Sequence, residues 1–221
     1  TFLGGSDDEG ETRMSVGAEG EIYLTGSTMS ADFPAPLLEN GVLTRPVKLF
    51  APDVYVVRVR SDGDSLDWSL LLGGNAREAV LGLKQDDLGN LYVLGRTYSP
   101  NFPVTTGAYR TRIDTHLADL FLMKLDARTG HIKVSTFLGI AQRADDLNRP
   151  ALLAVTRGGS VYIAGGALDG TFRSTAGCYQ ENPLPNVDAR NGLRTFVVRL
   201  NETLSAPVYA TLFEVGAIEA M

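Results

Sequence analysis

Short apolar runs, rich in β-branched and aromatic residues, recur along this chain in a fixed order. The clearest, Ile22-Tyr23-Leu24-Thr25-Gly26, returns as Leu91-Tyr92-Val93-Leu94-Gly95 and again as Val161-Tyr162-Ile163-Ala164-Gly165. Successive copies lie about 70 residues apart, a period that suits a repeating supersecondary unit. A second run, Val54-Tyr55-Val56-Val57-Arg58-Val59, matches Leu120-Phe121-Leu122-Met123-Lys124-Leu125 and Thr195-Phe196-Val197-Val198-Arg199-Leu200, each with a base in fifth place. A third, Trp68-Ser69-Leu70-Leu71-Leu72-Gly73-Gly74, matches Val134-Ser135-Thr136-Phe137-Leu138-Gly139 and Tyr209-Ala210-Thr211-Leu212-Phe213, with Thr1-Phe2-Leu3-Gly4-Gly5 as the tail of one more copy. The fourth and weakest, Met14-Ser15-Val16, corresponds to Leu83-Lys84-Gln85 and Leu153-Ala154-Val155. Each repeat thus offers four strand candidates bounded by Gly, Asp, Asn or Ser, and no helical apolar period competes with them.

The Tyr-containing run is apolar at nearly every position, so both faces of that strand are expected to be covered. In the last strand Asp67, Lys133 and Val208 share one repeated place, which suits a sheet's outer edge. A four-stranded unit with two apolar faces needs a like sheet beside it. The expected fold is therefore all-β, a β-propeller fragment of three four-stranded antiparallel blades, part of a larger ring. Residues 1–12 read as the outer strand of a preceding blade and its connecting loop, 13–74, 75–140 and 141–215 as the three blades, and 216–221 as the start of a further one. Propellers close with about 4–8 blades, so more sequence, or other chains, is expected to complete the ring. A tandem of small β-sandwiches is the structural alternative, although each ordinarily needs about seven strands.

Several segments resemble the bacterial β-propeller repeat known as the SBBP repeat. They are Thr1-Phe2-Leu3-Gly4-Gly5-Ser6-Asp7-Asp8-Glu9-Gly10, Gly89-Asn90-Leu91-Tyr92-Val93-Leu94-Gly95, Asn101-Phe102-Pro103-Val104-Thr105-Thr106-Gly107-Ala108-Tyr109 and Asp119-Leu120-Phe121-Leu122-Met123-Lys124-Leu125. The third repeat departs most, with Gly139-Ile140 for the Gly-Gly pair, Thr171-Phe172-Arg173 for the Phe-Pro turn and Cys178 for the alanine of Gly-Ala-Tyr. The resemblance implies an exported or cell-surface bacterial protein built of many blades, with no generally assigned enzymatic activity and no functional residues to carry over.

Composition narrows the function classes. With 44% apolar and 21% charged residues in 221 the chain can build a large core. A net charge of −6 and no clustered bases argue against nucleic acid. No apolar run approaches the length of a membrane-spanning helix, which leaves peripheral association open. The one cysteine, Cys178, has no internal partner and reads as a small buried hydrophobe. The chain opens at Thr1 without methionine or a signal-peptide pattern and reads as a processed or truncated start.

Loops after the second strand are long, spanning Thr28–Pro52, Thr97–Ala118 and Ala167–Arg194, and should share one side with the loops between blades. The other side carries tight turns such as Ser61-Asp62-Gly63-Asp64, Ala127-Arg128-Thr129-Gly130 and Arg157-Gly158-Gly159. On the long-loop side Phe33, Phe102, Tyr98, Tyr109 and Tyr179 are the ligand or partner candidates, beside Phe172, although their recurrence also suits loop anchors. Asp7, Asp8, Asp145 and Asp146 are the candidate metal ligands, and calcium is the ion they suit, although no EF-hand or nonapeptide spacing supports them. Arg58, Lys124 and Arg199 read as bases lying over apolar surface with solvated heads, and Tyr23, Tyr92 and Tyr162 as packing between blades. His116 and His131 lack partners at zinc-ligand spacing. Nucleophile-elbow, P-loop and dinucleotide patterns are absent. The expectation is a non-catalytic binding or scaffolding module, extracytoplasmic, with other protein chains as partners. The competing readings are a glycan-acting propeller enzyme with carboxylates meeting at the axis and a lectin-like surface adhesin.

Overall fold

The computed structural model describes residues 2–35, 51–113, 117–142, 151–168, 172–180 and 193–213. Among them are twelve strands and no helix: β1 (Glu9–Val16), β2 (Ile22–Thr28), β3 (Asp53–Val59), β4 (Leu66–Leu72), β5 (Glu78–Gln85), β6 (Asn90–Thr97), β7 (Ala118–Asp126), β8 (Ile132–Gln142), β9 (Leu152–Val155), β10 (Val161–Leu168), β11 (Leu193–Leu200) and β12 (Pro207–Phe213). They form three antiparallel four-stranded sheets in sequence order, β1–β4, β5–β8 and β9–β12.

The apolar repeat becomes a repeat of register. Tyr23 lies opposite Arg58, Tyr92 opposite Lys124 and Tyr162 opposite Arg199. The third and fourth strands of each sheet shift register at one equivalent place, Arg58/Val59, Lys124/Leu125 and Arg199/Leu200, which increases local twist. The first strands of sheets one and two are longer than their apolar segments suggest, starting at Glu9 and Glu78 and reaching Thr28 and Thr97 on the neighbouring strand. Phe2 to Asp8 form no strand, so the segment resembling a last-strand tail has no sheet partner among the described residues; Phe2 is fully exposed.

Each sheet has a leading face, toward the sheet that follows, and a trailing face. One core joins Tyr23, Val54, Val56, Trp68 and Leu70 of sheet one to Leu91, Val93, Phe121, Met123 and Phe137 of sheet two. A second joins Tyr92, Leu94, Leu120 and Leu122 to Val161, Ile163, Phe196, Val198 and Leu212 of sheet three. Sheet two is therefore covered on both faces, and every residue of β6 is buried. In β10 and β11 of sheet three, by contrast, buried and half-buried positions alternate.

Hydrogen bonds cross the same junctions. Trp68 Nε1 donates to the Ala127 carbonyl (3.2 Å), Lys124 Nζ to that of Glu202 (3.1 Å) and Tyr109 N to that of Leu204 (3.0 Å). The β7–β8 turn of sheet two and the β11–β12 turn of sheet three thus each seat against the sheet before. Leu204 is held at a φ of 52°, a region that disfavours side chains with a Cβ, and is fully buried in the second core. Burial of a leucine is worth about 1.5–3 kcal/mol, enough to outweigh that strain.

Candidate functional site

On the long-loop side the chain builds one polar clamp twice. The Glu9 carboxylate accepts from Thr28 Oγ1 (2.9 Å), Ser30 Oγ (2.6 Å) and Gly5 N (3.2 Å). One repeat later Glu78, fully buried, accepts from Thr97 Oγ1 (2.9 Å) and Ser99 Oγ (2.5 Å). The hydroxyls serve the backbone in turn: Ser30 N donates to Thr28 Oγ1 and Ser99 N to Thr97 Oγ1, both at 2.9 Å. Asp32 then takes Ser6 N (2.8 Å) and Asn101 takes Asn75 N (2.8 Å), tying each long loop to the connection that enters its sheet. Alternation of apolar residues carries no trace of this network. A Glu followed at a fixed distance by Thr-x-Ser, recurring at the repeat period, is the signal that could have found it.

The loop phenylalanines are anchors. Phe33 is buried and stacks on Tyr55 (ring centroids 4.7 Å apart), Phe102 is buried on Phe121 (4.3 Å), and Phe172 packs on Phe196 (5.4 Å). The ligand candidacy of Phe33 and Phe102 is thereby corrected: the Phe that follows each second strand folds back onto the second residue of the third-strand run, which is aromatic in every repeat. Tyr98 is half-buried, its N–H donating to the Arg77 carbonyl (2.9 Å). Tyr109 packs against the core between sheets two and three. Only Tyr179 among the five candidates is open, at 83% exposure, stacked on Phe213 (5.5 Å).

Asp7 and Asp8 are exposed, Asp7 Oδ1 accepting from Asp8 N (2.9 Å). Asp145 and Asp146 lie outside the described residues. Among the described residues no three His, Cys, Asp or Glu side chains gather as a metal site would require. His131 is exposed and Cys178 half-buried; His116 lies outside the described residues.

The tight-turn side holds a cleft of about 1120 Å³ between sheets one and two, lined by Glu19, Glu21, Arg58, Asp86, Asp87 and Asp126 among others. Three of its acids, Glu21, Asp86 and Asp126, are committed to the frame. Glu21 accepts from Tyr23 OH (3.1 Å) and Glu19 N (3.0 Å). Burial pushes its carboxyl up, but these bonds and nearby Arg58 outweigh burial and hold it below its ordinary value. Asp86 accepts from Leu88 N (2.9 Å), Asn90 N (2.8 Å), Asn90 Nδ2 (2.8 Å) and Tyr92 OH (2.9 Å). Asp126 takes Arg128 N (3.1 Å), Thr129 N (3.0 Å) and the Lys133 ammonium (3.0 Å); burial raises it, and the Lys133 and Thr129 bonds bring it below the usual carboxylate range. Burial, then Glu21, pushes Tyr23 up to about 12, and burial with Asp86 pushes Tyr92 up as well.

The recurring bases do not form a ring of free cations. Arg58 pairs with Asp67 at 2.8 Å, while Lys124 and Arg199 lie over the Tyr92 and Tyr162 rings at 5.5 and 5.7 Å. The carboxyl pushed well above its ordinary value is Asp119, raised to about 6 chiefly by burial against opposing backbone hydrogen bonds and nearby Arg110. It is the second residue of β7, at the register irregularity where β7 pairs with β8, and accepts from Gly139 N (3.2 Å) and Ile140 N (2.8 Å) of β8; it does not line the cleft. A scan of protein-family models finds no match to the chain, and a search of curated proteins finds no relative.

Proposed function

We propose that the chain is a run of consecutive β-propeller blades of the SBBP-repeat kind, working outside the cytoplasm as a non-catalytic module that docks another protein through its long-loop side. The observation that carries this reading is the twice-built clamp of Glu9 and Glu78, which fixes the loop bases on one side of neighbouring stacked sheets. Loops held in place before binding lose less entropy when a partner arrives.

A glycan-acting enzyme would need two carboxyl groups facing each other, one of them protonated near neutrality. In the cleft Glu21 and Asp126 are instead held ionised, and raised Asp119 is spent on backbone N–H groups of β8. This favours binding over turnover.

Photo-crosslinking residues in place of exposed Asp8 and Asn75 on the loop side, and of Asp87 and Arg157 on the turn side, test the proposal. Cell-envelope extracts should give one discrete protein adduct from the loop-side positions only. Adducts from the turn side alone, or saturable glycan binding abolished by Tyr179→Ala, would replace the reading, the latter with the adhesin.

A further inference from the structure

On the turn side, the junction between sheets two and three is bridged by two bonds that the junction between sheets one and two lacks. Asp87 N donates across to the Arg157 carbonyl (3.2 Å), and Lys124 Nζ to that of Glu202 (3.1 Å). One repeat earlier the strand registers put Ala18 in the place of Asp87 and Arg58 in that of Lys124. Ala18 N has no partner across the junction among the described residues. Arg58 pairs instead with Asp67 of its own sheet (2.8 Å). The Ala127 carbonyl, equivalent to that of Glu202, is taken by the buried Trp68 Nε1 (3.2 Å). At this less bridged junction lies the cleft of about 1120 Å³.

Its lining is of two kinds. Val16 and Leu88 contribute apolar side chains that are left 57% and 66% exposed, surface that a ligand carrying methylene groups would take from water. The cleft is also lined by five carboxylates, Glu19, Glu21, Asp86, Asp87 and Asp126, against two guanidinium groups, Arg58 and Arg128, and Arg58 is already matched by Asp67. Glu21 and Asp126 sit below their ordinary values, burial being outweighed by hydrogen bonds, so both are ionised at neutral pH. A cleft lined mainly by one sign of charge concentrates its field on the space inside. The carboxylates do not converge, however. No three of them gather as a metal site requires, and a single hard cation would meet too few oxygens. Charges strung along a cleft suit a ligand whose own charges are strung along a chain.

We propose that this cleft binds a linear alkyl polyamine, its ammonium groups set against the separated carboxylates and its methylene segments against Val16 and Leu88. Glu19 and Asp87 receive the ammonium groups at the rim. Their bonds to the frame run through backbone N–H groups, to Glu21 Oε2 (3.0 Å) and the Arg157 carbonyl, and the Asp87 carboxylate has only the exposed Arg157 beside it, at 4.0 Å. The three acids tied to the frame supply charge without moving. The site lies on the turn side, away from the loops that would meet a protein partner, and a small cation leaves no protein adduct at Asp87, so the two readings are tested apart.

Calorimetric titration of the chain with spermidine at low ionic strength tests the proposal. The wild type should give a saturable one-to-one isotherm. Glu19→Gln and Asp87→Asn, each removing one exposed ion pair, should each weaken binding about two- to fivefold. Leu88→Lys trades an apolar contact for a like charge and should weaken it about tenfold or more. All three side chains are exposed and none holds the frame, so an unchanged circular dichroism spectrum is expected of each variant. The double variant Asp62→Asn, Asp64→Asn removes two exposed acids of the β3–β4 turn that do not line the cleft, and it should bind spermidine as the wild type does. Heat that never saturates overturns the proposal. So does equal weakening by the Asp62 and Asp64 changes, which would mean diffuse attraction to an acidic chain, and so does displacement of spermidine by magnesium ion at equal concentration, which would mean a site that reads charge without the alkyl chain.

Discussion

Asp119→Asn offers a sharp test of how the irregular pairing of β7 with β8 is held. The carboxylate is 3% exposed and accepts the Gly139 and Ile140 N–H groups, so it carries charge where water cannot solvate it. Its carboxyl rises from an ordinary 3.8 to about 6. At about 1.4 kcal/mol per pH unit, ionised Asp119 destabilises the fold by about 3 kcal/mol relative to its protonated form. The sign follows from linkage. The unfolded chain releases this proton near 3.8 and the folded chain near 6, so the stabilising effect of the neutral form is present below 3.8 and lost as pH rises through 6. Asparagine mimics the neutral acid, keeping one carbonyl oxygen for the Ile140 N–H. Urea unfolding of both proteins at pH 4 and pH 7.5 should show near-equal stability at the lower pH and a variant more stable by about 1–3 kcal/mol at the higher. Glu21 and Asp126, held below their ordinary values, contribute stability that falls away at lower pH, and they cancel in the comparison. A variant less stable at pH 7.5, or a difference independent of pH, would refute the reasoning.

The clamp and the strained turn yield two more predictions. Glu78→Ala leaves the Thr97 and Ser99 hydroxyls without their buried acceptor and should lower stability by about 2–4 kcal/mol; Glu78→Gln, which keeps one acceptor oxygen, should cost less than half of that in the same denaturation assay. Leu204→Ala loses a fully buried side chain yet keeps a Cβ at a φ of 52°, whereas Leu204→Gly loses the same burial but relieves about 1 kcal/mol of backbone strain. Thermal melts should therefore rank glycine above alanine at this position, the reverse of the order in an ordinary strand or helix.

Most strands were legible because burial on both faces writes itself as unbroken apolar runs, as in Leu91-Tyr92-Val93-Leu94. The first strands were only half visible. In β1 the residues Glu9, Gly10, Glu11, Thr12 and Arg13 look like loop, yet Glu9, Gly10 and Arg13 pair with β2 around an irregularity at Glu11 and Thr12, where Glu11 takes a φ of 55°. Their side chains do not fill a core. Glu11 instead reaches the Val80 N–H (3.2 Å) and Arg13 the Leu81 carbonyl (3.3 Å) of the next sheet, and hydropathy is silent about such contacts. The loop phenylalanines were legible only as alternatives: their recurrence suits loop anchors as well as ligand contacts, and the stacking partner on the third strand decides for the anchor at Phe33 and Phe102. Glu9 and Glu78 carry no local signal of the clamp, because the hydroxyls they bind lie about 20 residues away, beyond the reach of any local motif.

The same bonds explain the acidity of the chain without invoking a partner. A chain that reverses direction after every strand leaves backbone N–H groups at its corners with no neighbouring strand to accept them. At several corners carboxylates supply the acceptor: Glu9 for Gly5, Asp32 for Ser6, Asp86 for Leu88 and Asn90, Asp126 for Arg128 and Thr129; Asp119 does the same for Gly139 and Ile140 inside β8. A carboxylate oxygen accepts several N–H groups at once and more strongly than a neutral oxygen, and lysine and arginine side chains carry no acceptor to offer. Acid therefore accumulates where the chain turns, on both the loop side and the turn side. These acids belong to an excess of 26 acidic over 20 basic residues and are tied to the frame, so their charge does not by itself mark a binding surface.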